Sequence, residues 1–422
     1  MNTPKLVLLI FFVLFALENA HSQSAFWTTG STLGFTPRYA LCSAVVNDKI
    51  YVIGGENSTG GFCNTLEVYD PTSDTWISPQ TTGYFSPHFA ATASVVDGKI
   101  YVFGGGAGLL TFNDSVSVFD PSTNIWSTID PGEGQTFTER WGLTSAAIGS
   151  NIYVIGGAIG YAAPYEIANF MEIFDTKTNR WSSPELTVDS LLPVWEPVAC
   201  VINDKIFVIG RQDDTACHCE VQVYDPMQNK WSVPRTNGMK IKRGYFSANE
   251  INGKIYVVGG GNFNPGGGGL PVETTEVYDP SLRIWDTLSV TGTFTKRQYH
   301  TASAIDDKIY VLGGDNGSFL NTNEILHLSG SGVAHTQSQK ENVYIYPNPA
   351  STTLNIVSTD PSPSFKIIDI LGRTVVSGRT LDHGTLTLDI SSLPRGVYSV
   401  LVQRSDLKDA FVLAGKFSSI DR

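Results

Sequence analysis

The stretch Lys49-Ile-Tyr-Val-Ile-Gly-Gly55 decides the fold, because it returns as Lys99-Ile-Tyr-Val-Phe-Gly-Gly105, Asn151-Ile-Tyr-Val-Ile-Gly-Gly157, Lys205-Ile-Phe-Val-Ile-Gly-Arg211, Lys254-Ile-Tyr-Val-Val-Gly-Gly260 and Lys308-Ile-Tyr-Val-Leu-Gly-Gly314. Each copy is a short run of β-branched and aromatic residues halted by glycine, which reads as a strand. Two-residue turns stand before the copies, among them Asn47-Asp48, Asp97-Gly98, Asn203-Asp204 and Asn252-Gly253. Such pairs tolerate the positive φ of a tight hairpin. Downstream lie Val68-Tyr69-Asp70-Pro71, Val118-Phe119-Asp120-Pro121, Ile173-Phe174-Asp175, Val223-Tyr224-Asp225-Pro226 and Val277-Tyr278-Asp279-Pro280. Trp76, Trp126, Trp181, Trp231 and Trp285 each follow that Asp by six residues. A unit recurring at this period cannot bury both faces of its own sheet, so copies must stack on one another.

The sixth copy is incomplete. It ends at Glu324-Ile-Leu-His-Leu328 with no Tyr-Asp and no Trp, whereas Phe26-Trp27 precedes the first copy with no strands of its own ahead of it. A chain-start strand that completes the last unit would close a ring and remove two unpaired strand edges. The glycine-ended strand, the Tyr-Asp strand and the trailing Trp resemble the kelch repeat from about Trp27 to Leu328. That resemblance implies an all-β fold: a six-bladed β-propeller over residues 23–328, sealed by its N-terminal strand. Arg211 in place of a second glycine and Thr176 in place of proline are the departures from the pattern.

Composition agrees with a turn-rich β protein: 41 Gly, 11% aromatic and only 16% charged residues. A formal charge of −12 argues against nucleic acid as a partner. The apolar run Leu6–Leu17, preceded by Lys5 and followed by Ala20-His21-Ser22, has the order of a cleaved signal peptide, expected over 1–22. It is too short to span a bilayer, so no transmembrane anchor is expected in the mature protein. After the polar linker 329–341, residues 342–422 carry Tyr346-Pro347-Asn348-Pro349, then Phe365-Lys-Ile-Ile-Asp-Ile-Leu-Gly372-Arg373, then Gly396-Val-Tyr398. In this order at the end of the chain these motifs resemble the C-terminal sorting domain of the type IX secretion system of Bacteroidota. The resemblance implies a seven-stranded immunoglobulin-like sandwich, recognition by that machinery, and a product that is secreted or held at the outer cell surface.

In an antiparallel blade the second-to-third loops share a face with the blade-to-blade links, and all the variation in loop length falls there, where function usually resides. At a fixed offset before each glycine-ended strand stand Arg38, His88, Arg140, Val194, Arg243 and Arg297, with Tyr39, Phe89, Trp141, Trp195, Tyr245 and Tyr299 close by. First strands line the axis of a propeller, so these residues are expected to ring the channel mouth. Guanidiniums beside aromatic rings suit an acidic peptide or an anionic glycan. The alternative is that the arginines are scaffold, each paired with a carboxylate of a neighbouring blade.

No catalytic set stands out. Cys217-His218-Cys219 offers three ligands with no identifiable fourth, and no metal or cofactor is expected. Any disulfides should be local, Cys42 with Cys63 and Cys200 with Cys217 or Cys219. Glu139, Glu196 and Glu250 lie in or beside first strands and leave an acid/base pair in the channel open. The expected function is a secreted or surface-displayed module that binds protein or glycan. Kelch proteins similar to sialic-acid epimerases make a sugar-acting enzyme one alternative, and a structural or adhesion component another.

Overall fold

The computed structural model describes residues 25–328, apart from 109–110, 131–136, 161–165, 185–190, 213–216 and 263–268, and in the tail 343–346, 352–358, 365–369, 373–378, 384–394, 396–403 and 411–419. The proposed signal peptide and linker lie outside the described residues. The chain divides into two units, 1–331 and 332–422.

In the first unit five four-stranded antiparallel sheets follow one another, beginning with Cys42–Val46, Lys49–Ile53, Leu66–Asp70 and Thr75–Ile77. The sixth joins Thr301–Ile305, Lys308–Leu312 and Asn323–Leu328 to the N-terminal strand Ala25–Thr29, with Trp27 opposite Leu326 and Thr28 opposite Ile325. Val290–Thr291, from the link into this blade, runs parallel to Ala25–Phe26 and covers the outer edge. Each first strand packs against the first strands of both neighbouring blades, and the sixth meets the first.

Burial shows why the glycine-ended strands are apolar on both faces. After its leading Lys or Asn, each of Lys49–Ile53, Lys99–Phe103, Asn151–Ile155, Lys254–Val258 and Lys308–Leu312 is buried throughout. One set of its side chains meets the preceding blade and the other set the following one. Tyr51, Ile53 and Val68 of the first blade share a core with Ile100, Val102, Phe119 and Trp126 of the second. The same arrangement recurs at every junction and ends with Tyr310 and Leu312 of the sixth blade against Ile50, Val52 and Tyr69 of the first. Closure is therefore made in the core as well as by strand pairing.

The hairpins are as expected: Asn47, Asp48, Asp97, Gly98, Asn203, Asp204, Asn252 and Gly253 all have positive φ. The Asp of each Tyr-Asp strand holds the next turn, its Oδ1 accepting the N–H two residues on, as Asp70 does from Thr72 (2.9 Å). The lysine that opens the glycine-ended strand pairs with the same Asp, 2.6 Å from Lys49 to Asp70 and 3.5 Å from Lys254 to Asp279. In the fourth blade the strand runs on to Gln212 and pairs with Cys217–Asp225, so the chain does not turn at Arg211 and needs no second glycine there. All five cysteines are free thiols rather than locally bridged, Cys42, Cys63, Cys200 and Cys217 being buried and Cys219 half-buried.

The second unit has seven strands among its described residues, in one sheet of three and one of four. Leu354, Phe365, Ile367, Ile390, Tyr398 and Val400 form its core. Tyr346 ends the strand Val343–Tyr346 and Gly396 opens Gly396–Gln403, while Pro347, Asn348, Pro349 and Gly372 lie outside the described residues. Tyr398 packs its ring inward and donates its hydroxyl to the Pro394 carbonyl at 2.7 Å.

Candidate functional site

First strands begin four residues after the arginines, at Cys42, Thr144, Ser247 and Thr301, so the guanidiniums sit in the connection that leads into each blade. They do not face the channel mouth. Arg38, Arg140 and Arg297 are 0% exposed and Arg243 1%, each in an ion pair with a glutamate of its own blade. Arg243 to Glu276 is 2.8 Å; the other pairs are Arg38–Glu67, Arg140–Glu172 and Arg297–Glu324. A second bond reaches the carbonyl that ends the next strand: Arg38 Nε to Gly54 O at 2.8 Å, Arg140 Nε to Gly156 O at 2.7 Å and Arg297 Nη1 to Gly313 O at 3.1 Å. Phe35, Phe137 and Phe294 lie under three of the guanidiniums at 4.8–5.0 Å. Burial pulls the Arg140, Arg243 and Arg297 pKa values down, and the paired glutamates oppose it. These arginines are latches inside a blade, and a ligand anion cannot reach them.

The second blade builds the latch without charge, and the fourth keeps only the bond from its backbone to the strand residue. His88 Nδ1 bonds the Gly104 carbonyl at 2.8 Å and its ring faces Ser117, and Gln222 accepts the Leu192 N–H at 2.8 Å beside Val194. The partner was readable: three residues before the Asp of the Tyr-Asp strand stand Glu67, Ser117, Glu172, Gln222 and Glu276, acidic only where the lead residue is arginine.

What rings the mouth is aromatic. Tyr39 meets Phe89 (5.7 Å between centroids), Phe89 meets Trp141 (6.4 Å), and Trp141 meets Trp195 (4.9 Å). Trp195 meets Tyr245 (6.4 Å), Tyr245 stacks on Tyr299 (4.0 Å), and Tyr299 returns to Tyr39 (5.6 Å). Six rings, one per blade, thus form a closed collar. Beneath it a backbone belt runs from blade to blade: Tyr299 N–H to Tyr245 O, Ala40 to Tyr299, Ala90 to Ala40, Gly142 to Ala90 and Glu196 to Gly142, at 2.8–2.9 Å. All six belt residues have φ between 53° and 60°. In the fifth and sixth blades the collar position holds Gly244 and Gln298, and the rings come from the belt residues Tyr245 and Tyr299 instead.

Second-to-third loops add rings above the collar. Phe62 stacks on Phe89 at 5.0 Å and Phe319 on Tyr39 at 4.9 Å. Between the first three blades, Phe62, Phe89, Phe112 and Trp141 line a cleft of about 120 Å³ floored by Gly106, Gly108 and Gly160. A Cβ on Gly106 would stand 3.1 Å from the Phe62 ring, tighter than ordinary contact, so the ring lies close over this glycine. Periodicity could not point to Phe62, Phe112 or Phe319, because they stand in the loops that differ between copies.

Along the axis, below the belt, a chamber of about 80 Å³ continues into a tunnel of about 410 Å³ lined by first strands and their hydroxyls, Ser43, Ser145 and Ser303 among them. The three glutamates considered for acid/base work are apart in role: Glu139 is exposed, Glu250 accepts the Gly253 N–H at 2.6 Å, and Glu196 lines the chamber. Among the described residues no three His, Cys, Asp or Glu side chains are grouped to hold a metal. Among them, too, no helix is long and apolar enough to cross a membrane.

Comparison with known families gives both units a match. The KLHDC2/KLHL20/DRC7 Kelch-repeats domain matches residues 12–157 and 133–314, and the Secretion system C-terminal sorting domain matches residues 344–410. The chain is similar to human Kelch repeat and BTB domain-containing protein 12, at 30% identity over 207 residues, covering 43% of this chain and 30% of the relative. It is similar to human Kelch-like protein 23, at 26% over 266 residues, covering 63% and 35%, and to an F-box/kelch-repeat protein of Arabidopsis thaliana, at 32% over 162 residues, covering 36% and 41%. The chain spans about a third of the length of the two human relatives. The sorting domain marks export through the type IX system, to the cell surface or beyond it. The chain thus belongs to the kelch-repeat family, as a β-propeller joined to a secretion-system sorting domain.

Proposed function

We propose that the exported propeller is a protein-binding module whose docking surface is the aromatic rim of the loop face, centred on the cleft between Phe62, Phe89, Phe112 and Trp141. That cleft carries the reading: four half-buried rings from four segments converge over a glycine floor, a ready-made pocket for an apolar anchor. Aromatic side chains dominate binding energy at protein interfaces because they desolvate a large rigid area at small entropic cost. With its guanidiniums locked in ion pairs, the rim favours an apolar or aromatic segment over an anionic glycan.

The test is selection of displayed random peptides on the immobilised protein, repeated on a Phe62→Ala/Phe112→Ala variant. Both side chains stand on loops at the rim, so the variant should keep its melting temperature. Enrichment of peptides with a recurring aromatic or aliphatic anchor, lost in the variant, is the expected result. Peptides that bind both proteins equally would place the docking surface elsewhere.

A further inference from the structure

We propose that the axial chamber beneath the collar is a binding site for a protonated amine, with the Glu196 carboxylate as its counter-ion. This goes beyond the rim and does not depend on it.

The belt position is held by Ala40, Ala90 and Gly142 in the first three blades, and by Glu196 in the fourth. Glu196 shares its left-handed φ of 55° with the rest of the belt, and what sets it apart is that it alone of the six belt residues carries a carboxyl. Its Oε1 is shielded from solvent and accepts no hydrogen bond from the described residues. No lysine or arginine pairs with it among the described residues; Arg243 and Arg297, the cations that act on the neighbouring His300, are bound to Glu276 and Glu324. The titratable groups around it are the phenols of Tyr245 and Tyr299 and the imidazole of His300. The Tyr299 phenol is pushed above its ordinary range, chiefly by burial and then by Tyr245 and Glu196, and burial pushes the His300 imidazole down to about 3. Glu196 itself is pushed up to about 7 by burial, so near and above neutral pH the chamber holds an uncompensated negative charge.

The remaining wall selects the ligand. Leu41, Ala91, Leu143, Pro197 and Phe246 supply no oxygen side chains, whereas a hard metal ion asks for six or more oxygens. An alkylammonium needs one carboxylate and aromatic neighbours, which Glu196, Tyr245 and Tyr299 provide. About 80 Å³ suffices for a methylammonium-sized head. The approach through the tunnel passes hydroxyls and a second carboxylate, Glu250, and the chain's net charge of −12 attracts cations to it.

Methylammonium chloride titrated into the full chain at pH 8, against matched sodium chloride and against methanol, is the direct test. A saturable rise in melting temperature with methylammonium alone is expected, by preferential binding to the folded state. It should fade as the pH is lowered through 7. Glu196→Gln keeps the side-chain volume and should weaken binding by about tenfold or more. A lysine blocked at both ends, run in parallel, separates the sources: equal, Glu196-dependent binding points to a partner's side chain, and binding of methylammonium alone points to free small amines. The same rise with sodium chloride or methanol, a rise retained by the glutamine variant, or none in the wild-type protein at any pH, would overturn the proposal.

Discussion

Replacing Glu172 by Gln strips the Arg140 guanidinium of its counter-charge at a position with no access to water. Breaking one side of a buried pair costs about 3–5 kcal/mol, because the remaining charge is left uncompensated. Blade four shows how to remove both charges: it places Val194 and Gln222 where blade three has Arg140 and Glu172. The double replacement Arg140→Val/Glu172→Gln should therefore cost less than the two single changes added together, with a coupling of about 2 kcal/mol in denaturant melts. Additive costs would mean that the pair does not act as a unit. Read alone, an arginine beside an aromatic at a channel mouth suggests a ligand anion; read with the glutamate that accompanies it in the same blade, it is a latch. The aromatic collar was legible because its members keep near-constant offsets. Glu196 was legible as one of three glutamates in or beside first strands, but its place in the belt and its unbonded oxygen leave no mark in a sequence.

At the level of strands, the repeat made the blades legible, and the missing Trp of the sixth copy made the closure legible. Lengths and turns followed from residue type: Asn, Asp and Gly at the hairpins, alternating burial along first strands such as Cys42–Val46, and double burial along the glycine-ended ones. The pairing of Val290–Thr291 with the closing strand was not legible, because a link segment carries no alternation of its own. Removing residues up to Thr29 would expose the edge of Asn323–Leu328 and take Trp27 from its stack on Phe294 at 4.5 Å. Loss of a buried tryptophan alone costs about 3–5 kcal/mol, and an unpaired edge invites pairing with another chain. The truncated protein should elute as dimers or larger species on size exclusion and melt well below the full chain. A monomer of unchanged stability would show that the ring holds without its strand.

Over the whole molecule, the buried imidazoles of His88 and His300 and the carboxyl of the half-buried Glu196 set an opposed pH dependence. Burial lowers His88 from 6.5 to about 4 and His300 from 6.5 to about 3. The unfolded chain therefore binds the extra protons below pH 6.5, and stability falls as the pH drops until the folded values are reached, by roughly 3 kcal/mol or more for each histidine. Burial raises Glu196 from 4.5 to about 7, so here the folded protein binds the extra proton. Its contribution is fully present below pH 4.5 and is lost as the pH rises through 7, again by roughly 3 kcal/mol. Between pH 4.5 and 7 the carboxyl offsets part of what the histidines take away. Glu196→Gln removes that offset. The variant should be more stable than the wild-type protein by up to about 3 kcal/mol above pH 7, should lose stability more steeply on acidification, and should meet the wild-type curve below pH 4.5. Ion pairs such as Lys49–Asp70, common to both proteins, cancel in the comparison. Denaturant melts of the two proteins from pH 4 to 8 measure the difference directly. Parallel curves would place the Glu196 carboxyl in contact with water and remove the buried charge from the centre of the ring.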